Sequence, residues 1–178
     1  MNTRILLVLS TLLCFSFSAF IPFPYKQNNN QWRADVIGFG DKTIGEAGSL
    51  ITSIASIVAG EGIYGYGKLF NPSTLNEWLK NNGGYENDDQ FIWDSLYSFG
   101  FEFLGFTTDT NDMITVLAQG KIVLLDVDAN DHYVVATISG PEGFLVMDPV
   151  TPGKAIYLWK DIVKAGIYSW NPKRIETL

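Results

Sequence analysis

Cysteine is almost missing from this chain: the only one, Cys14, falls inside an apolar stretch near the N-terminus. Histidine is as scarce, with His132 alone among 178 residues. With one thiol no disulfide closes within the chain, and with one imidazole a structural zinc site of the usual Cys/His kind cannot be assembled from it. Base is also short, since 12 Lys and Arg stand against 19 Asp and Glu. The acidic surface this implies repels phosphate backbones and anionic headgroups, which argues against a nucleic-acid partner. Apolar runs long enough to span a bilayer are absent too. The longest candidate starts at Ile5 and reaches Phe15 with interruptions, well under the roughly 20 residues a spanning helix needs.

That short run has a use of its own. Arg4, the apolar residues from Ile5, and the small residues Ser16, Ser18 and Ala19 form the basic, apolar and small-residue sections of a secretory signal peptide. Residues 1–19 are therefore expected to be a leader and the protein to be secreted, with no membrane span once the leader is removed. Cleavage would remove Cys14 and take the formal charge from −7 to −8, one arginine being lost. The remainder, residues 20–178, is enough for one core and too little for two, so a single domain is expected.

Within it, the spacing predicts a largely apolar, central helix over 49–59, where Leu50, Ile51, Ile54, Ala55 and Val58 share one wide face between Gly48 and Gly60. Asn71 and Pro72 read as a cap and a first helical residue, with Leu75, Trp78 and Leu79 behind them and Asn82-Gly83-Gly84 as the stop. A third helix is expected from about Asp88 to Phe99, ended by Gly100, and a short fourth from Asp112 to Gln119. The period then changes. Lys121–Asp128, His132–Ser139 and Phe144–Asp148 are β-branched and aromatic runs bounded by turn residues. Helices first and an antiparallel sheet after them make an α+β layout.

Three patterns imitate known chemistry and fail on context. Gly60, Gly62 and Gly65 match the dinucleotide fingerprint but follow a helix where a strand is required. Asp126, Asp128 and Asn130 copy the first ligands of a calcium loop, yet Asp131 stands where glycine is needed and Thr137 where glutamate is needed. Ser49 lacks the flanking glycines of a nucleophile elbow. No cofactor and no metal are therefore expected. Of the aromatics, Trp78 and Trp93 read as core, whereas Tyr64 and Tyr66 in a glycine-rich loop are candidates for an exposed rim beside a cleft.

Four positions do combine. A helix N-terminus stabilises a developing anion, and Ser49 opens the central helix. His132 opens a strand and Asp148 closes the next, so a carboxylate is available to orient an imidazole. A five-residue loop over 139–143 would set Asp148 opposite Val134, on the face of His132; a four-residue loop would set it on the other face. Gln27 carries an amide donor suited to an oxyanion. Ser49 is also a residue type that caps helices with no chemistry implied.

Lys26-Gln27 followed by Trp32, Thr43-Ile44-Gly45-Glu46-Ala47-Gly48-Ser49-Leu50-Ile51-Thr52-Ser53-Ile54-Ala55, Leu75-Asn76-Glu77-Trp78-Leu79-Lys80, Asp131-His132-Tyr133-Val134-Val135 and Met147-Asp148-Pro149 occur in that order. In this the chain resembles the C39-like peptidase domain family over roughly Pro24 to Val150. The resemblance implies a papain-like fold, N-terminal helices packed on a C-terminal antiparallel sheet. It also implies an oxyanion role for Gln27, a nucleophile position at Ser49 and a triad completed by His132 and Asp148. The family's nucleophile is cysteine, and a thiol is far more acidic than an alkanol, so a site tuned for one does not activate the other. Two readings are open: a secreted pseudo-peptidase that holds a peptide or protein segment uncut, or a hydrolase of peptide or amide bonds that uses Ser49. A structural protein with a vestigial cleft is a third.

Overall fold

The computed structural model describes residues 20–128, 132–150 and 152–175. The expected leader with Arg4 and Cys14, and Asn130 and Asp131 of the calcium-like run, lie outside the described residues. The chain is mixed α+β. Its helices are α1 (Ile44–Ala47), α2 (Ser49–Gly60), α3 (Pro72–Asn81) and α4 (Thr110–Ala118). A six-stranded antiparallel sheet is built from β1 (Phe101–Thr107), β2 (Ile122–Val127), β3 (His132–Ser139), β4 (Gly143–Met147), β5 (Ile156–Leu158) and β6 (Ile162–Trp170). The spatial order is β1-β6-β2-β3-β4-β5, so β2 to β5 form a meander and β6 returns to pair between β1 and β2.

Both faces of the sheet are covered, which is why β2 reads as an unbroken apolar run instead of an alternating one. Ile122, Leu124 and Val135 pack with Ile51, Ile54 and Val58 of α2 and with Leu75 and Leu79 of α3. Val123, Leu125, Val127 and Val134 pack on the opposite face with Met113 of α4. In α2 only Leu50 and Gly60 escape burial; Ser56 Oγ donates to Thr52 O at 2.8 Å and Ser53 Oγ to Tyr133 O at 2.9 Å, while Thr52 Oγ1 meets no hydrogen-bond partner among the described residues. Among the described residues no helix is long and apolar enough to cross a membrane.

Three expectations need correction. The segment expected as a helix from Asp88 is first a hairpin, Tyr85–Glu86 with Gln90–Phe91, turning through Asn87 and Asp88 at positive φ. The chain then winds into a 3₁₀ helix, Trp93–Phe99, in which Trp93, Leu96 and Phe99 recur every three residues, and Gly100 ends it at φ 83°. Helices do not all precede the sheet either, because β1 comes before α4. Finally, β1, β5 and β6 are strands that the period did not announce. Gly166 reads as a breaker in β6, but a Cβ there would sit 2.4 Å from the Trp93 ring, so the glycine serves a close approach.

Candidate functional site

The site begins with an N-terminal arm laid against the turn after β4. Lys26 Nζ donates to the carbonyls of Asp148 (2.5 Å) and Val150 (3.1 Å), and Gln27 N–H donates to Pro149 O at 2.9 Å. Trp32 is buried, stands edge-on to Tyr25 and donates from Nε1 to Lys26 O at 2.8 Å. These bonds explain the Gln27-to-Trp32 spacing: the indole clamps the turn that aims Gln27 inward. Gln27 Nε2 donates to Gly45 O at 3.2 Å, and its buried Oε1 has no hydrogen-bond partner among the described residues.

Thr43 and Glu46 form a reciprocal capping box at the start of α1. The carboxylate of Glu46 accepts from the N–H and hydroxyl of Thr43, which holds its pKa below the usual range. One residue after α1 ends, the chain starts α2. Gly48 occupies the N-cap position there and Ser49 is the first helical residue, which corrects the expectation that Ser49 itself is the cap. Glycine is required at 48 by packing, since a Cβ would fall 2.4 Å from Ile44 O. Ser49 is 5% exposed, and its Oγ accepts the Tyr133 N–H at 3.1 Å. Ser49 and Ser53, one turn apart on α2, thus bind both backbone polar groups of Tyr133 and fasten the helix to β3.

His132 opens β3 directly before that tyrosine, and its Nε2 lies 3.0 Å from Asp148 Oδ1. With Nε2 engaged, Nδ1 is the nitrogen left for proton exchange. Asp148 is buried among donors: besides His132 it accepts the Val150 N–H (2.9 Å), the Lys154 N–H (3.0 Å) and the Tyr157 hydroxyl (3.1 Å). Burial pushes its pKa up, but the bonds from His132, Val150 and Lys154 outweigh it and hold the carboxyl at about 2. Burial and the neighbouring Asp148 charge push the Tyr157 hydroxyl well above its ordinary range, so it stays a donor. Gly153 leaves room for this wrapping, since a Cβ would meet Asp148 Cβ and Val150 O at 2.8 Å.

A cleft of about 750 Å³ is lined by Gln27, Ser49 and His132 together with Asp41, Lys42 and Glu46. Three of the four expected site residues therefore share one cavity, and Asp148 stands behind the imidazole. Tyr157 and Gly153, and the anchoring part of Lys26, are not foreseen from sequence; the Pro152-Gly153 pair shortly after Asp148-Pro149 is the available signal for a turn that folds back on the carboxylate. Tyr64 and Tyr66 are exposed as expected, but neither lines this cleft. Of the calcium-like run, Asp126 Oδ2 lies 3.7 Å from Lys164 Nζ and Asp128 is paired with Lys154 at 2.8 Å. Among the described residues no group of three or more His, Cys, Asp or Glu is arranged to hold a metal.

No protein-family model matches the chain, and no characterised protein or solved structure matches it.

Proposed function

We propose that this chain is a secreted pseudo-peptidase of the C39-like, papain-like type, whose cleft holds an extended peptide or protein segment without cutting it. The order of the motifs from Lys26-Gln27 to Met147-Asp148-Pro149 supports the family, and the shared cavity of Gln27, Ser49 and His132 with Asp148 behind it supports a cleft of that kind. The observation that carries the absence of cutting is the bond from the Tyr133 N–H to Ser49 Oγ. A buried hydroxyl that accepts the Tyr133 N–H at 3.1 Å is committed to holding helix to strand, and an alkanol is a far weaker acid than the thiol such a cleft is tuned for. Serine at this position serves the seam between α2 and β3. A thiol accepts hydrogen bonds weakly and would be the poorer fastener.

The test is hydrolysis and retention of a broad peptide library by the wild-type protein, Ser49→Ala and Ser49→Cys. Retention of peptides by wild type without cleavage, and cleavage gained in Ser49→Cys, are the expected results. Cleavage by wild type that Ser49→Ala abolishes would overturn the reading in favour of a serine-dependent hydrolase, and no retention by any variant would overturn the binding role.

A further inference from the structure

A second concavity, about 780 Å³, lies on the helical side between α3 and the hairpin Tyr64–Gly65/Lys68–Leu69. It does not contain Ser49 or His132. The hairpin closes through Tyr66 and Gly67 alone, both at positive φ (54° and 77°), which is a type I′ turn. The first turn position is normally Asn, Asp or Gly, because a Cβ in the left-handed region is crowded by the backbone. Tyrosine occupies it here, and burial does not compensate: the residue is 65% exposed, and its ring leans edge-on against the buried Phe70 at 6.3 Å. A crowded backbone that presents a bulky ring to solvent points to a use outside the fold.

The ring overhangs a polar groove. Ser73 and Glu77 of α3, Lys80 one turn on, Lys68 of the hairpin and Asp35 of the arm line it with Tyr66. Two carboxylates and two ammonium groups leave the groove without net charge, and among the described residues Asp35, Lys68 and Lys80 have no ion-pair partner. An anion would be opposed by Asp35 and Glu77, and a cation by the lysines. A ligand with an apolar face and many groups that both donate and accept is opposed by neither.

We propose that this groove binds a neutral carbohydrate, with a pyranose ring laid on Tyr66 and its hydroxyls bonded to Asp35, Lys68, Glu77 and Lys80. The aromatic face meets the sugar's C–H face, the carboxylates accept from hydroxyls, and the ammonium groups donate to them. The preset turn fixes the backbone beneath the ring, so no loop has to be ordered on binding. This site is independent of the reading of Ser49.

The test uses an array of neutral glucans, mannans, xylans and chito-oligosaccharides, probed with the wild-type protein, Tyr66→Gly and Tyr64→Ala. Glycine suits the turn, so Tyr66→Gly removes the ring while keeping the hairpin; Tyr64 is exposed on the same hairpin but outside the groove. Retention of at least one neutral class by wild type is expected, falling tenfold or more in Tyr66→Gly and unchanged in Tyr64→Ala. No neutral glycan retained by wild type, or equal retention by Tyr66→Gly, would overturn the proposal. So would retention confined to anionic glycans and lost in Lys68→Ala with Lys80→Ala.

Discussion

His132 Nε2 and Asp148 Oδ1 meet at 3.0 Å because β3 carries one extra residue between them. At the hairpin tip Ser139 pairs with Phe144 and Ile138 with Leu145; past Thr137 the register shifts, pairing Ala136 with Val146 and Val135 with Met147. Continued by one step, it sets Asp148 opposite Val134, on the face of His132. An unbulged ladder would set it opposite Val135 and turn the carboxylate to the other side of the sheet. The tip is thus shorter than the five-residue loop that the His132 face requires in a regular hairpin, and the bulge restores the register.

The Asp148 carboxyl sits at about 2 in the folded protein, below the ordinary 3.8. A group lowered by folding stabilises above its unfolded pKa, and that stability is lost as pH falls through the folded value. Chemical denaturation of wild type and Asp148→Asn from pH 6 to pH 2 is expected to show wild type more stable by on the order of 1–2 kcal/mol above about pH 5, solvent screening included. The difference should shrink between about pH 4 and 2. A gap constant across that range would place the effect outside the titration of Asp148.

Because His132 is the only histidine, its ring nitrogens can be assigned without ambiguity. The neutral ring is expected to carry its proton on Nε2, directed at Asp148, and nitrogen-detected NMR distinguishes the two tautomers. In Asp148→Leu the tautomers should approach the mixture of a free imidazole. A protonated Nδ1 in neutral wild type would contradict the geometry.

Gly48→Ala forces a Cβ to within 2.4–2.6 Å of three Ile44 atoms, two of them backbone. The junction of α1 and α2 has to open, at a cost of about 1–3 kcal/mol by analogy with overpacked cores. The seam to β3 should loosen with it. Amide exchange at Tyr133 is the local readout, and faster exchange there than in α3 is the expected result.

Tyr66→Asn places a residue tolerant of the left-handed region at the first position of the type I′ turn. A gain of about 1 kcal/mol in stability is expected, since the crowding relieved is of that order. Thermal denaturation checks it. An unchanged or lowered midpoint would mean that the Tyr66 contact with Phe70 outweighs the backbone cost.

Much is legible before folding because local physics dictates it. Asn71-Pro72 begins α3 as its cap and proline require, with the Asn71 side chain accepting the Thr74 N–H at 3.0 Å. β3 spans His132–Ser139 as its β-branched run suggests. The segment from Asp88 misleads because its apolar spacing fits three residues per turn as well as 3.6 once Trp93, Leu96 and Phe99 are aligned. β1 and β6 escape a reading by period because Gly105 and Gly166 interrupt them; Gly105 sits at φ 109° where the register of β1 against β6 shifts, and Gly166 makes room for the Trp93 ring.

What the sequence by itself determined is the set of side chains offered and their local seats: a serine at the start of an apolar helix, a histidine at the head of a strand, an aspartate after the next strand, and a glutamine shortly before Trp32. These arise from capping, period and composition, which act over a few residues. Tertiary structure alone decided which of them meet. The bulge at Thr137 puts Asp148 on the face of His132, and the approach of α2 to β3 gives the Ser49 hydroxyl to the Tyr133 N–H. A one-residue change of register reverses a face of the sheet, and a hydrogen bond between residues 84 positions apart exists only after the helix and strand have packed.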